Sequence, residues 1–226
     1  MATEVDICNL ALAHLGDNAT IASIKPPEGS AQAEHAARFY PIARDTLLEL
    51  YAWSFASKRS TLALLTNPVS QWDYCYALPA DAMDVVAIIS PDAQNDYVTR
   101  ASASDNPGWQ GNYSPSIAAG QYVPQPFALE TDELGNNVIY TNVENALCRY
   151  GAFVTDTSKF SALYTLTLSW HLAGMLAGPV LKGEVGQSES KRCNQMMSAY
   201  LIQAQNADNT QRKINMEHIV PWTAGR

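Results

Sequence analysis

Apolar residues along the chain fall first into helical rhythms, then into short β-like runs, then into helical rhythms again. The clearest stripe lies between residues 30 and 62. There Ala33, Ala37, Tyr40, Ala43, Leu47 and Tyr51 recur every three or four residues, which lays them along one side of a helix. Small residues on that side let another helix come close, so this helix is expected to be central. Arg38, Arg44, Asp45 and Glu49 fall mostly off the stripe and are expected to face water or a neighbour. Pro41 is expected to kink the helix or split it in two. Trp53 and Phe55 close it, each able to bury about 150–250 Å². At roughly 25 cal/mol per Å² that is about 4–6 kcal/mol of gross stabilisation apiece. A pair of that size marks where the helix stops and a strand-rich part begins.

Upstream, Thr3 to Asp6 has the spacing of a capping box. Val5, Cys8, Leu12 and Leu15 continue it as a first helix, and Gly16 takes the left-handed position after its end. Lys25-Pro26-Pro27-Glu28-Gly29 cannot be helical, and Ser30 is the expected N-cap of the central helix.

Downstream the runs shorten. Lys58 to Leu65 reads as a strand ended by Asn67-Pro68, and Trp72 to Asp81 is aromatic and β-prone. Asp84 to Ile89 is a short β-branched run. From Ser90 to Gln125, Pro, Gly, Ser, Asn and Gln dominate, long for a loop and expected to be mobile or ordered by a partner. Phe127 to Thr131 and Val138 to Val143 read as a hairpin around Asp132-Glu133-Leu134-Gly135-Asn136-Asn137. Ala146 to Val154 is a further candidate strand, with Thr155, Asp156, Thr157 or Ser158 available to cap the next helix.

Residues 160 to 181 contain no charged side chain, and length alone would permit a membrane span. Ser161, Thr165, Thr167, Ser169 and His171 are spread through the segment and Gly178-Pro179 interrupts its end, which favours a buried core helix. Gly183 to Gly186 reads as a flexible break. Ser188 then opens a last helix with Cys193, Met196, Met197, Tyr200, Leu201 and Ala204 on its apolar stripe, fading into the polar run from Asn206 to Lys213. The tail from Ile214 to Arg226 carries Val220, Pro221 and Trp222. Either that tail anchors on another surface, or it folds back on its own subunit or is simply frayed.

Composition narrows the partners. The 226 residues are 47% hydrophobic and 16% charged, enough for one large domain or a domain with an insertion. The net charge of −8 argues against a protein that binds nucleic acid by neutralising phosphates. Cys8, Cys75, Cys148 and Cys193 are scattered without a CxxC pair and are expected as buried free thiols. The start, MATEVDICNL, lacks a basic region followed by an apolar run, so synthesis in a reducing cytoplasm is expected.

Candidate chemistry is sparse. His14, His35, His171 and His218 are far apart, with neither HExxH nor a Cys/His cluster, and no GxSxG, Walker or GxGxxG motif occurs. No catalytic, cofactor or metal residue is assigned, and an enzyme is not expected. Glu130, Asp132 and Glu133 are the nearest to a carboxylate pair, which glycan hydrolysis would need. Acids around a hairpin turn are far more often solvated.

Taken in order, several segments resemble the head-to-tail adaptor, or tail tubular protein A, family of short-tailed bacteriophages. They are the first helix ending LALAHLG, the connector Ile24-Lys25-Pro26-Pro27, and the Ala-rich helix leading into Ala52-Trp53-Ser54-Phe55-Ala56-Ser57-Lys58-Arg59. Tyr76-Ala77-Leu78-Pro79-Ala80-Asp81, Val138-Ile139-Tyr140-Thr141-Asn142, two C-terminal helices and the closing Trp222-Thr223-Ala224-Gly225-Arg226 come after them. The segment from Ser90 to Gln125 has no counterpart.

The resemblance implies an α+β fold, mainly a helical bundle with a strand-rich part inserted between the second and third long helices. Residues 1–62 and 156–212 would supply the bundle, 63–155 the insertion with its long loop 90–125, and 213–226 an extended tail. It implies a structural virion protein at the head–tail junction, with the portal, the tail nozzle and further copies in a dodecameric ring as partners. DNA would pass through the channel without specific binding, which an acidic wall favours. Neither cofactor nor membrane is implied. Ring contacts are expected at Arg38, Arg44 and Glu49, and Asp132, Glu133 and Asn136 are expected to face the nozzle. Ile219, Val220, Pro221, Trp222 and Arg226 would reach the portal or a neighbour. The competing reading is a tail-associated glycan hydrolase using Glu130 or Glu133.

Overall fold

A computed structural model describes residues 2–91 and 125–210, and these form four α-helices and seven strands, α+β in class. The long loop expected from Ser90 to Gln125 lies almost wholly outside the described residues, as does the tail with Ile219, Val220, Pro221, Trp222 and Arg226. The chain divides into two compact units. The first takes Met1–Ser57 and Gly151–Gln211, and the second is drawn from Lys58–Tyr150.

Helices build the first unit. In α1 (Glu4–His14) the Thr3 side chain accepts from Asp6 N while the Asp6 carboxylate accepts from Thr3 N, so both halves of the expected capping box are made. Gly16 comes next at φ +75°, the left-handed position that ends the helix. Ser30 caps α2 (Ala31–Glu49) by accepting from Ala33 N. That helix is continuous through Pro41, contrary to the expected split. A proline inside a helix removes one hydrogen bond, and burial of Tyr40, Ala43 and Leu47 around it holds the rest. The buried face is wider than the stripe expected: Ala36, Arg44 and Leu48 are buried too, whereas Ala37 is only half-buried.

Behind α2 sits the aromatic plug. Trp53 is 1% exposed, its indole N–H donates to Leu47 O at 2.7 Å, and its ring meets Tyr164 edge-on at 5.0 Å. Phe55 packs on Trp53, Tyr164 and Phe160. Asp156 caps a short 3-10 turn at Thr157–Lys159, and Ser161 caps α3 (Ala162–Leu181). Tyr164, Leu168, Leu172 and Leu176 are all fully buried, so α3 is the core helix its composition suggested. No described helix is long and apolar enough to cross a membrane.

The end of α3 departs from expectation. It runs through Gly178 and Pro179, and α4 (Gly183–Asn209) starts at once, so the anticipated break at Gly183–Gly186 is the single residue Lys182. Glycine serves packing there instead of flexibility. A Cβ on Gly186 would stand 2.8 Å from Ala177 O, and one on Gly174 would stand 2.9 Å from Asn194 Oδ1. The two helices therefore touch through small residues, with Ser190 Oγ donating to Gly174 O at 2.9 Å. Nor does α4 fade at Asn206: Asp208 is buried and accepts from the backbone N–H and hydroxyl of Ser54, tying the helix end to the turn after Trp53.

Strands build the second unit. The run expected as one strand from Lys58 to Leu65 is two, β1 (Ser57–Thr61) and β2 (Ala63–Leu65), in different sheets. Leu62 between them is buried and donates its N–H to Ala146 O. Next come β3 (Tyr74–Ala77), β4 (Ala82–Ile89), β5 (Phe127–Thr131), β6 (Asn137–Thr141) and β7 (Leu147–Ala152). One sheet has the order β1-β7-β4 and the other β2-β3-β6-β5. Asp81, just before β4, reaches the other two strands of its sheet, pairing with Lys58 of β1 at 2.5 Å and accepting from Tyr150 OH of β7 at 3.0 Å.

All four cysteines are free and buried, and burial pushes the Cys8 thiol up to about 12 and that of Cys148 to about 11. Such thiols stay protonated and behave as small hydrophobes.

Candidate functional site

The four-stranded sheet exposes a large apolar side chain on each outer strand, Leu64 on β2 and Leu129 on β5. Every pairing in it is antiparallel. Leu64 faces Tyr76, Tyr76 faces Ile139 and Ile139 faces Leu129, giving one continuous row across four strands. Directly opposed residues share a face, so this row lies on one side of the sheet. Its middle is buried, with Tyr76 at 2% and Ile139 at 0%, yet its ends are open: Leu64 is 63% exposed and Leu129 48%. The next row, Leu65–Cys75–Tyr140–Ala128, lies on the opposite face. There Val69 and Trp72 pack over Cys75, Val138 and Tyr140.

The hairpin joining β5 to β6 carries three expected site residues. Asp132 Oδ1 accepts from Leu134 N at 2.9 Å and Asn136 N at 2.7 Å, and its Oδ2 accepts from Asn136 Nδ2 at 3.0 Å. Gly135 at φ +86° closes the turn. The Asn136 side chain first, and then backbone N–H groups, hold the Asp132 carboxyl below its ordinary value. Asp132 and Asn136 thus build the turn, which leaves Asp132 poorly disposed for acid–base work. Glu133 and Glu130 are exposed, and Leu134 at the tip is 88% exposed.

On α2 the three expected ring-contact residues separate. Arg38 and Glu49 are exposed. Arg44, expected to face water or a neighbour, is instead 3% exposed inside the helical unit. Its Nε donates to Asp45 Oδ1 at 2.7 Å, its guanidinium lies 4.7 Å from the centre of the Phe153 ring, and its carbonyl accepts from Tyr164 OH. Pairing and ring contact offset the cost of burying that charge. Arg44 therefore belongs to the interior of the helical unit.

A second polar cluster was not expected from the sequence. His14 stacks on Trp170 at 3.7 Å and 7°, and Arg192 lies over the Trp170 ring while donating to His14 O at 2.8 Å. Ser169 Oγ donates to Leu166 O, so in the 3.0 Å contact the His14 Nε2–H donates to Ser169 Oγ. Burial, and then Arg192, lower the His14 pKa. Histidine on α1, tryptophan on α3 and arginine on α4 meet only in the fold. The cluster fastens three helices together.

A shallow depression of about 350 Å³ is lined by Thr3, Glu4, Ser23, Ile24, Lys25 and neighbours, and Glu4 and Lys25 within it pair at 3.0 Å. Among the described residues no group of three or more His, Cys, Asp or Glu could hold a metal ion. No family model matches the chain, and no curated protein matches it.

Proposed function

We propose that this chain is a structural head-to-tail adaptor of a short-tailed bacteriophage, copies of which close into a ring of twelve beneath the portal. In this reading helices from both ends of the chain form a bundle, and the strand-rich part is inserted between the second and third long helices. The observation that carries it is the element order, α1 and α2 before seven strands and α3 and α4 after them, which is the order the resemblance implies. A subunit that works by shape needs a rigid frame, and three features supply one: the aromatic plug, the close α3–α4 contact and the His14–Trp170–Arg192 stack.

The ring extends the DNA channel and gives the nozzle a platform, with Asp132, Glu133 and Asn136 on the nozzle side. The tail, with Ile219, Val220, Pro221, Trp222 and Arg226, reaches the portal or a neighbouring subunit. Arg38 and Glu49 are the members of the α2 set free to serve the ring contact. The channel wall repels phosphates, consistent with the net charge of −8.

The test is electron microscopy and mass measurement of the full-length protein, alone and mixed with portal. Annular particles about twelve times the 24.6 kDa chain are expected. Deleting residues 214–226 should abolish portal docking while leaving the chain folded. A lone globule that never becomes annular in any virus particle would refute the proposal, and unchanged docking after the deletion would refute the role given to the tail.

A further inference from the structure

We draw no further inference here: the strongest candidate, the exposed apolar residues Leu64 and Leu129 on the outer strands β2 and β5 of the four-stranded sheet, carries none because nothing in the structure shows what covers them.

Discussion

Where α3 and α4 meet, a single methyl group separates a neutral change from a damaging one. A Cβ on Gly186 would stand 2.8 Å from Ala177 O and 3.4 Å from Gly178 Cα, both backbone atoms of a buried helix. Neither can rotate away, so Gly186→Ala forces the helices apart. Overpacking of this kind costs about 1–3 kcal/mol. Alanine returns up to about 1 kcal/mol of helix propensity. The net expectation is a loss of about 1–2 kcal/mol, or a urea midpoint lower by roughly 0.5–1 M at an ordinary m-value. Gly174→Ala is the control. Its new Cβ would meet Asn194 Oδ1 at 2.9 Å, the far end of an exposed side chain that can turn aside. That variant should be neutral or up to about 1 kcal/mol more stable. Urea titrations of both variants, followed by circular dichroism, read the difference. If Gly186→Ala matched the wild type or exceeded it, the close-contact account of α3 and α4 would be wrong.

Buried polar groups supply two further tests. Both ring nitrogens of His171 are buried without a hydrogen-bond partner among the described residues, and burial lowers its pKa below the ordinary 6.5. The folded state thus favours the neutral ring. Its contribution is fully present above pH 6.5 and is lost as pH falls through the window down to the lowered value. Stability measured between about pH 7.5 and about 5.5 should fall with pH, and His171→Leu should flatten that slope. An unchanged slope would exclude His171 as a source. Asp208→Ala removes the carboxylate that accepts from the Ser54 N–H and hydroxyl and should cost about 1–3 kcal/mol by denaturant titration, with Asp208→Asn milder because one acceptor oxygen remains. Equal losses would show that hydrogen bonding to Ser54 is not what Asp208 supplies.

Features governed by neighbours in sequence were legible from the order of residues alone. The Thr3–Asp6 box, the Ser30 cap, the left-handed Gly16, the Gly135 hairpin and the burial of α3 each depend on a few adjacent residues or on one helical period. Their energetics are local, so a pattern suffices. Misreadings cluster where a distant partner decides. Arg44 lies off the apolar stripe, and Phe153, more than one hundred residues away, joins the neighbouring Asp45 in giving its charge an interior place. Gly183 and Gly186 look like a flexible break until Ala177 is seen to need the space.

The candidate surface divides along the same line. Alternation and turn residues announced β5 and β6, and Leu64-Leu65 sat in an expected strand. Nothing in that pattern says which strands stand outermost, because strand order is a choice among long-range pairings with nearly equal local energies. The sequence by itself determined where most helices and strands lie, through caps, periods and turn chemistry. Tertiary structure alone decided that Lys58 to Leu65 divides between two sheets, that β2 and β5 are left at the edges, and that Arg44 turns inward. Those outcomes depend on which surfaces meet across the fold, and burial between distant segments carries more free energy than any local preference.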